Sequence, residues 1–580
     1  MNAVKKYAWT SRLVFVLFLF ALGTGFPCQS RTHGVEPTVQ GGLKQLPDKD
    51  WSWANARHLL ARAGFSGTSD QITELHQMGL EKAVDYMLNF NKSQGKEVLS
   101  DELLDLIDRD PTDRKKDKSG PQLDLLIRSP QWEKVYNETT IKPDKNHPVA
   151  DFSKVHMVDL LTKGKDGKPS LEKKRLLERL KLFEFMRADW MEQLITSENP
   201  LEEKMVLFWH GHFTSDYATV EDSYMLYLQN YLFHKYSAGN YGELLHGIVH
   251  DPAMLRYLDN NTNVKGHPNE NLARELMELF SMGEGNGYTE KDVKEGARAL
   301  TGNKYDARNK GLFYFDEDNH DFGQKTIFGH TGNYNGDHFV DLILAQPETA
   351  SFMAAKLFAF FAYEGPESEV VEPLARTFRE NHFDVKPVLR EMFLSEAFYS
   401  EKAIGTHIKS PIQLVVGTFR KLGLEQGDYS SIIKASNLMG QALFQPPDVK
   451  GWDGGRTWIN ATRLFARQNF SGYLVEGKET LFSNGRSIGK PRPGIRPGVD
   501  IVGLLDGNEL TNSSEVVDHF MKNMFSISVQ ESKRQKLINV LDKGGALPPS
   551  SRWRSQRTRI NEKLQLLLVL MISMPEYQLC

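Results

Sequence analysis

The run from Pro268 to Phe280 (Pro-Asn-Glu-Asn-Leu-Ala-Arg-Glu-Leu-Met-Glu-Leu-Phe) sorts its side chains in a way that could support chemistry. At about 100° per residue, Asn271, Arg274, Glu275 and Glu278 share one arc, and Leu272, Leu276, Leu279 and Phe280 share the arc beside it. Glu275 and Glu278 project from the same side of such a helix. Carboxylates so placed serve as hard metal ligands, as an acid and base pair, or as a solvated face. Arg274 beside them either holds an anionic substrate group or makes a structural ion pair that ties helices together. Asn271 adds an amide to the same arc for substrate binding.

Upstream, His210 and His212 flank Gly211 in Trp-His-Gly-His. That spacing converges on one metal ion in an extended strand and diverges by about 200° on a helix. Gly211 reads as a helix stop, so the turn could bring both rings onto a divalent metal ion. The alternative is that one ring caps the helix end and the other is a satisfied core histidine. Downstream, His320-Asp321 in a polar loop suits a general base with its orienting partner and equally an ordinary turn. Trp452 and Trp458 lie in the glycine-rich loop Gly451–Trp458 and could stack on sugar rings, cover a pocket, or close a core. His58, just before Leu59-Leu60, reads as a helix-packing residue. The sequence carries no Gly-x-Ser-x-Gly elbow, phosphate-binding loop, dinucleotide fingerprint, His-Glu-x-x-His or Cys-x-x-Cys-His, which excludes the enzyme classes that depend on them.

The elements that would position these residues read as helices. Trp51 to Ala63 has helical spacing and stops at Gly64; Ser69-Asp70 can cap the next helix, and Gly79 separates it from Leu80 to Phe90. Leu171 to Thr196 is a long helical pattern, and Asn199-Pro200 opens the helix that leads to Trp209-His210. Further helical patterns fall at 221–236, 240–249, 268–283, 289–301, 347–363, 385–394, 411–422, 430–443, 458–473, 511–525, 529–541 and 557–573. Leu312 to Phe315 and Thr326 to Phe328 read as strands of one hairpin with His320 and Asp321 at its tip. The expected fold is mostly α, a large multi-helix globular fold with at most one small β-hairpin.

The 580 residues, 40% hydrophobic, suffice for a large core. Residues 1–30 read as a signal peptide: Lys5, Lys6 and Arg12 precede an apolar run from Leu13 to Phe26, followed by Pro27-Cys28-Gln29. The run gives out before the roughly 20 apolar residues of a membrane span. Residues 31–50 read as a linker and 51–580 as a single large helical domain, with a charged insertion at about 100–170 and a C-terminal helical part at about 500–580. The two cysteines are Cys28 and Cys580, so removal of the leader leaves no intramolecular disulfide. It also takes three positive charges from a formal net charge of −4, leaving −7 (−4 minus 3), a balance that does not point to nucleic acid or to an anionic membrane.

In order along the chain, the motifs resemble a bacterial family catalogued as domain of unknown function number 1800. The similar segments are His58 to Phe65 (His-Leu-Leu-Ala-Arg-Ala-Gly-Phe), Pro200 to Met205, Phe208 to Phe213, Asn269 to Leu279, Gly287 to Val293, Ala297 to Gly302, His320-Asp321, Val449 to Trp452 and Pro575 to Gln578. They span nearly the whole mature chain. The family has no established activity. The resemblance implies an exported, mostly helical protein whose gene often neighbours that of a second uncharacterised family, number 1501, itself similar to the alkaline phosphatase and sulfatase superfamily. Phe280 stands where many relatives carry histidine and Asn303 where they carry tryptophan, which weakens any metal site needing that histidine.

The resulting expectation is an exported protein, periplasmic, cell-surface or extracellular, without a stable membrane span. Its interior site would comprise His210, His212, Arg274, Glu275 and Glu278, with His320 and Asp321 near its mouth. The chemistry would be hydrolysis or lyase action on a polysaccharide-related substrate. The rival is a non-catalytic envelope or partner-binding protein in which the same cluster is structural and the Trp452 and Trp458 loop meets a partner or glycan.

Overall fold

Side-chain caps open many of the helices at residues the sequence offers. Ser52 accepts from Asn55 N ahead of α1 (Trp53–Ala63), and Thr68 closes a capping box with Gln71 at the start of α2 (Ser69–Met78). The structure, a computed structural model, describes residues 43–90, 171–306, 312–425, 429–476, 498–505 and 507–580, with the backbone alone for 171–181. The leader, the insertion at about 100–170 and most of the loop at 483–500 lie outside the described residues.

After α3 (Leu80–Leu88) come α4 (Leu171–Thr196), α5 (Pro200–His212), α6 (Tyr217–Val220), α7 (Ser223–Lys235), α8 (Tyr241–Val249), α9 (Pro252–Tyr257), α10 (Asn271–Glu278) and α11 (Glu290–Ala299). Four short strands follow: β1 (Asn303–Asp306), β2 (Leu312–Phe315), β3 (Lys325–Ile327) and β4 (His330–Gly332). The chain continues through α12 (Gly336–Leu344), α13 (Pro347–Phe361), α14 (Ser368–Glu380), α15 (Val385–Leu394), α16 (Pro411–Lys421), α17 (Tyr429–Leu438), α18 (Ala461–Glu476), α19 (Ile501–Leu504), α20 (Ser513–Met524), α21 (Glu531–Asp542) and α22 (Arg557–Ser573).

The fold is mostly α. The strands 312–315 and 325–327 do not pair with each other: β1 pairs with β2 and β3 with β4, giving two antiparallel hairpins where one was expected. The end of the expected linker is also part of the fold, since Leu46 N donates to Leu394 O at 2.8 Å and Glu396 N to Lys44 O at 2.7 Å. Buried apolar side chains form one continuous cluster from Leu46 to Tyr577. Among the described residues no helix is long and apolar enough to cross a membrane.

Helix α5 runs through the middle of this cluster, packed by α1, α3, α4 and α7. Pro200 to His210 and His212 are all buried. A helix enclosed on every side needs partners for its polar groups. Glu203 finds two, Trp190 Nε1 at 3.1 Å and His234 Nε2 at 3.3 Å.

Candidate functional site

Gly211 does not stop α5; the helix continues through it to His212. On an uninterrupted helix the two imidazoles point to different sides, and each meets its own set of partners. His210 Nε2 accepts from Phe444 N at 2.9 Å, with Trp190, Phe444 and Trp452 rings around it. Burial without a charge partner pushes its pKa down to about 3, so the ring is neutral.

His212 serves the far end of α10. Its Nε2 donates to Phe280 O at 2.9 Å, while Nδ1 accepts from Lys356 Nζ at 3.1 Å. Lys356 on α13 also donates to Leu279 O at 3.2 Å, and Tyr241 OH donates to Phe280 O at 2.6 Å. Carbonyls just past a helix end lack intrahelical donors, and here a lysine, a histidine and a tyrosine from three other helices satisfy two of them. Burial and the neighbouring ammonium hold His212 well below the ordinary histidine value, and burial brings Lys356 down to about 8. Lys356 and Tyr241 were not anticipated; the signal for the first was a lone charge inside the apolar run of α13.

Arg274 turns away from Glu275 and Glu278. Its guanidinium makes two bonds to Glu290, at 2.7 and 2.8 Å, and one to Glu270 at 3.1 Å, joining α10 to the first residue of α11. It is about one-third exposed, and these carboxylates raise its pKa further. Asn271 is exposed at the N-terminus of α10.

His320 and Asp321 do not act on each other. His320 is buried, donates from Nδ1 to Thr301 O at 2.6 Å and packs against Phe315 and Phe322. Asp321 accepts from Arg298 Nε at 2.7 Å and from Gly323 N at 2.8 Å, and the arginine holds its carboxyl down to about 2. The pair ties the segment after β2 to α11.

The loop before α18 folds back onto α5. Thr214 Oγ1 donates to Val449 O at 2.7 Å, and Trp452 lies over Gly211. Gly451 adopts φ +84°, and a Cβ there would stand 2.2 Å from Gly211 O. Gly451→Ala is therefore expected to lose about 2–3 kcal/mol of stability, from a left-handed backbone and a displaced loop. Urea unfolding checks this, and a variant as stable as the parent would contradict the docking. Trp458 is buried and closes the core, while Trp452 is half-exposed.

Beside this loop Glu275 and Glu278 are half-buried, and Asp448 and Lys450 are exposed. Glu275 Oε2 is enclosed without a hydrogen-bond donor. Burial and then Glu278 raise its pKa, against smaller opposing effects of Arg274 and Lys450. Tyr257, at the end of α9, is pushed up to about 12 by burial and by Asp216, Asp448 and Glu275. Glu275 thus lies within electrostatic reach of Glu278, Arg274, Lys450 and Tyr257, and Tyr257 in turn of Asp216 and Asp448, while His210, His212, His320 and Asp321 stay in separate contacts. Among the described residues no group of three or more His, Cys, Asp or Glu side chains is arranged to hold a metal ion.

A large helical protein with a half-buried carboxylate pair beside a glycine-rich tryptophan loop is the class that fold and site define. Residues 58–579 match the family described as "Protein of unknown function (DUF1800)", and the chain belongs to it. No curated protein and no solved structure matches the chain.

Proposed function

We propose that this protein is exported and acts as a hydrolase or lyase on a polysaccharide-related substrate at Glu275 and its neighbours. One observation carries the reading. Glu275 keeps a carboxyl oxygen without a donor and a raised pKa beside a second carboxylate, Glu278. Neighbouring carboxyls whose environments differ divide into a proton donor and an ionised partner. In this reading Glu275 delivers the proton to a leaving oxygen, Glu278 or Asp448 supplies the carboxylate, and Lys450 and Trp452 hold the sugar. The leader with Lys5, Lys6 and Arg12 before Leu13 to Phe26 supports export.

Glu275→Gln separates chemistry from structure. Because Arg274 pairs with Glu270 and Glu290, neutralising Glu275 strands no cation. The variant is expected to match or exceed the parent in thermal stability, while release of reducing ends from a soluble polysaccharide panel falls at least about 100-fold. Undiminished release by the variant would refute Glu275 as the proton donor.

A second reading is favoured by the structural bonds of His210, His212, Arg274, His320 and Asp321. In it the protein is non-catalytic and the Trp452 loop meets a glycan or a protein of the neighbouring-gene family number 1501. Glycan retention by both the parent and Glu275→Gln, lost in Trp452→Ala, with no product released, would select it.

A further inference from the structure

The last residue of the sequence, Cys580, lies among the buried cationic side chains Arg62, Lys204, Lys409 and Lys421. Cys580 is 3% exposed, and its Sγ accepts from Arg62 Nη1 at 3.0 Å. Its backbone is fixed by Cys580 N donating to His407 O at 2.9 Å and Gly405 N donating to Cys580 O at 3.1 Å. Lys204 of α5 reaches the same place. It is fully buried, lies over the Phe65 and Phe360 rings at 4.7 and 5.4 Å, and its ammonium has no hydrogen-bond acceptor. Lys409 and Lys421 also lie within electrostatic reach of the sulfur, and burial brings Lys409 down to about 8 and Lys204 down to about 7. Lys409 and Lys421 are bonded to backbone carbonyls, of Tyr577 and of Asn523 and Met524.

Burial by itself would push the Cys580 thiol up, but Arg62, Lys409 and Lys204 together outweigh it and favour the anion of the sulfur. They equally favour any product that keeps the negative charge and adds an acceptor for the unsatisfied ammonium of Lys204.

We propose that Cys580 is an oxidation site, a thiolate held by Arg62 that takes oxygen from a small peroxide, with Lys204 donating to the oxygen gained. In the first step sulfur attacks one peroxide oxygen, an S–O bond forms and the O–O bond breaks. Thiolate and hydrogen peroxide become sulfenate and water, sulfur losing two electrons and the peroxide gaining them. A second equivalent gives sulfinate and water by the same balance. Cys28 is the other cysteine of the chain and belongs to the expected leader, so a disulfide is not the product.

The test treats the native full chain with hydrogen peroxide between pH 6 and pH 8. It follows dimedone capture and the sulfinate mass on the peptide carrying Cys580, with Cys580→Ser as the control for methionine oxidation. The rate is expected to climb far less steeply across this range than that of an ordinary thiol near pKa 8.5, which quickens roughly 70-fold. Lys204→Met, which keeps an apolar fit against the two rings, is expected to slow the pH 6 rate about tenfold with its circular dichroism unchanged. Oxidation in the unfolded chain alone, or a native rate climbing tens of fold from pH 6 to 8, would overturn the proposal. So would a folded Lys204→Met oxidised as fast as the parent.

Discussion

Arg62→Ala is expected to remove about 4–5 kcal/mol of folding stability. The side chain is fully buried, and its guanidinium reaches Phe361 O at 2.7 Å and Phe360 O and Ala362 O at 3.1 Å each. These carbonyls end α13, where the helix supplies no donors and its dipole is negative. Truncation strands three buried acceptors at roughly 1 kcal/mol each and opens a cavity costing about 2 kcal/mol more. Arg62→Lys is expected to recover only part of the loss, because one ammonium cannot span three carbonyls arranged for a planar fork. Arg274→Ala supplies the contrast: its pairs with Glu270 and Glu290 are solvent-exposed, and exposed pairs are worth about 0–1 kcal/mol. Urea unfolding of the three variants reads the ranking directly. An Arg62→Ala protein within 1 kcal/mol of the parent would show that the guanidinium does not hold the end of α13.

The contrast between these arginines marks what the sequence reveals. Periodicity reports which face of a helix is apolar, and that places elements well. Helix α4 spans Leu171–Thr196 and α22 spans Arg557–Ser573 with the boundaries that the pattern predicts. It left out α14, which carries Pro373 in its interior. That helix forms nonetheless, with Val370, Val371, Leu374, Ala375 and Phe378 buried, so tertiary packing outweighs the cost of one proline. The helix expected over 268–283 shortens to Asn271–Glu278: past Glu278 the chain closes wider turns, Phe280 N donating to Glu275 O and Met282 N to Met277 O, and Gly283 takes φ +91°.

Partners of polar groups are a different matter, since they come from anywhere in the chain. His212 stands 68 residues from Phe280 and 144 from Lys356, and no local pattern encodes either contact. Gly211 was read as a stop because glycine is a common helix terminator. Here the absence of a Cβ lets the Gly451 loop and Trp452 lie against the helix. The carboxylate face of α10 was legible, and Arg274 as a structural ion pair was one of the two roles the sequence allowed it, beside holding an anionic substrate group. Its partners, Glu270 and Glu290, were not legible, because both lie outside the arc that drew attention to the helix.

Asp251→Asn is expected to reverse its effect on stability with pH. Asp251 caps α9, accepting from Met254 N and Gln229 Nε2 at 2.8 Å each, and it is buried. Burial outweighs those bonds and raises its carboxyl to about 7, against about 3.9 in an unfolded chain. A group with the higher pKa in the native state holds its proton more tightly there. Its contribution is complete below about pH 4 and is lost as pH rises toward 7. The gap of about three pH units corresponds to about 4 kcal/mol. Asparagine caps a helix as well as aspartate does and carries no charge into the core. The difference between variant and parent should therefore move by about 3 kcal/mol in favour of asparagine between pH 4.5 and pH 8, the first part of the gap lying below that window. Absolute curves would hide this, because His58 and His210, pushed down to about 3 by burial, lose stability in the opposite direction as pH falls below 6.5. Those imidazoles are common to both proteins and cancel in the difference, so urea midpoints of the pair at three pH values isolate the buried cap. Parallel curves would mean that Asp251 is already ionised in the folded protein across the whole range.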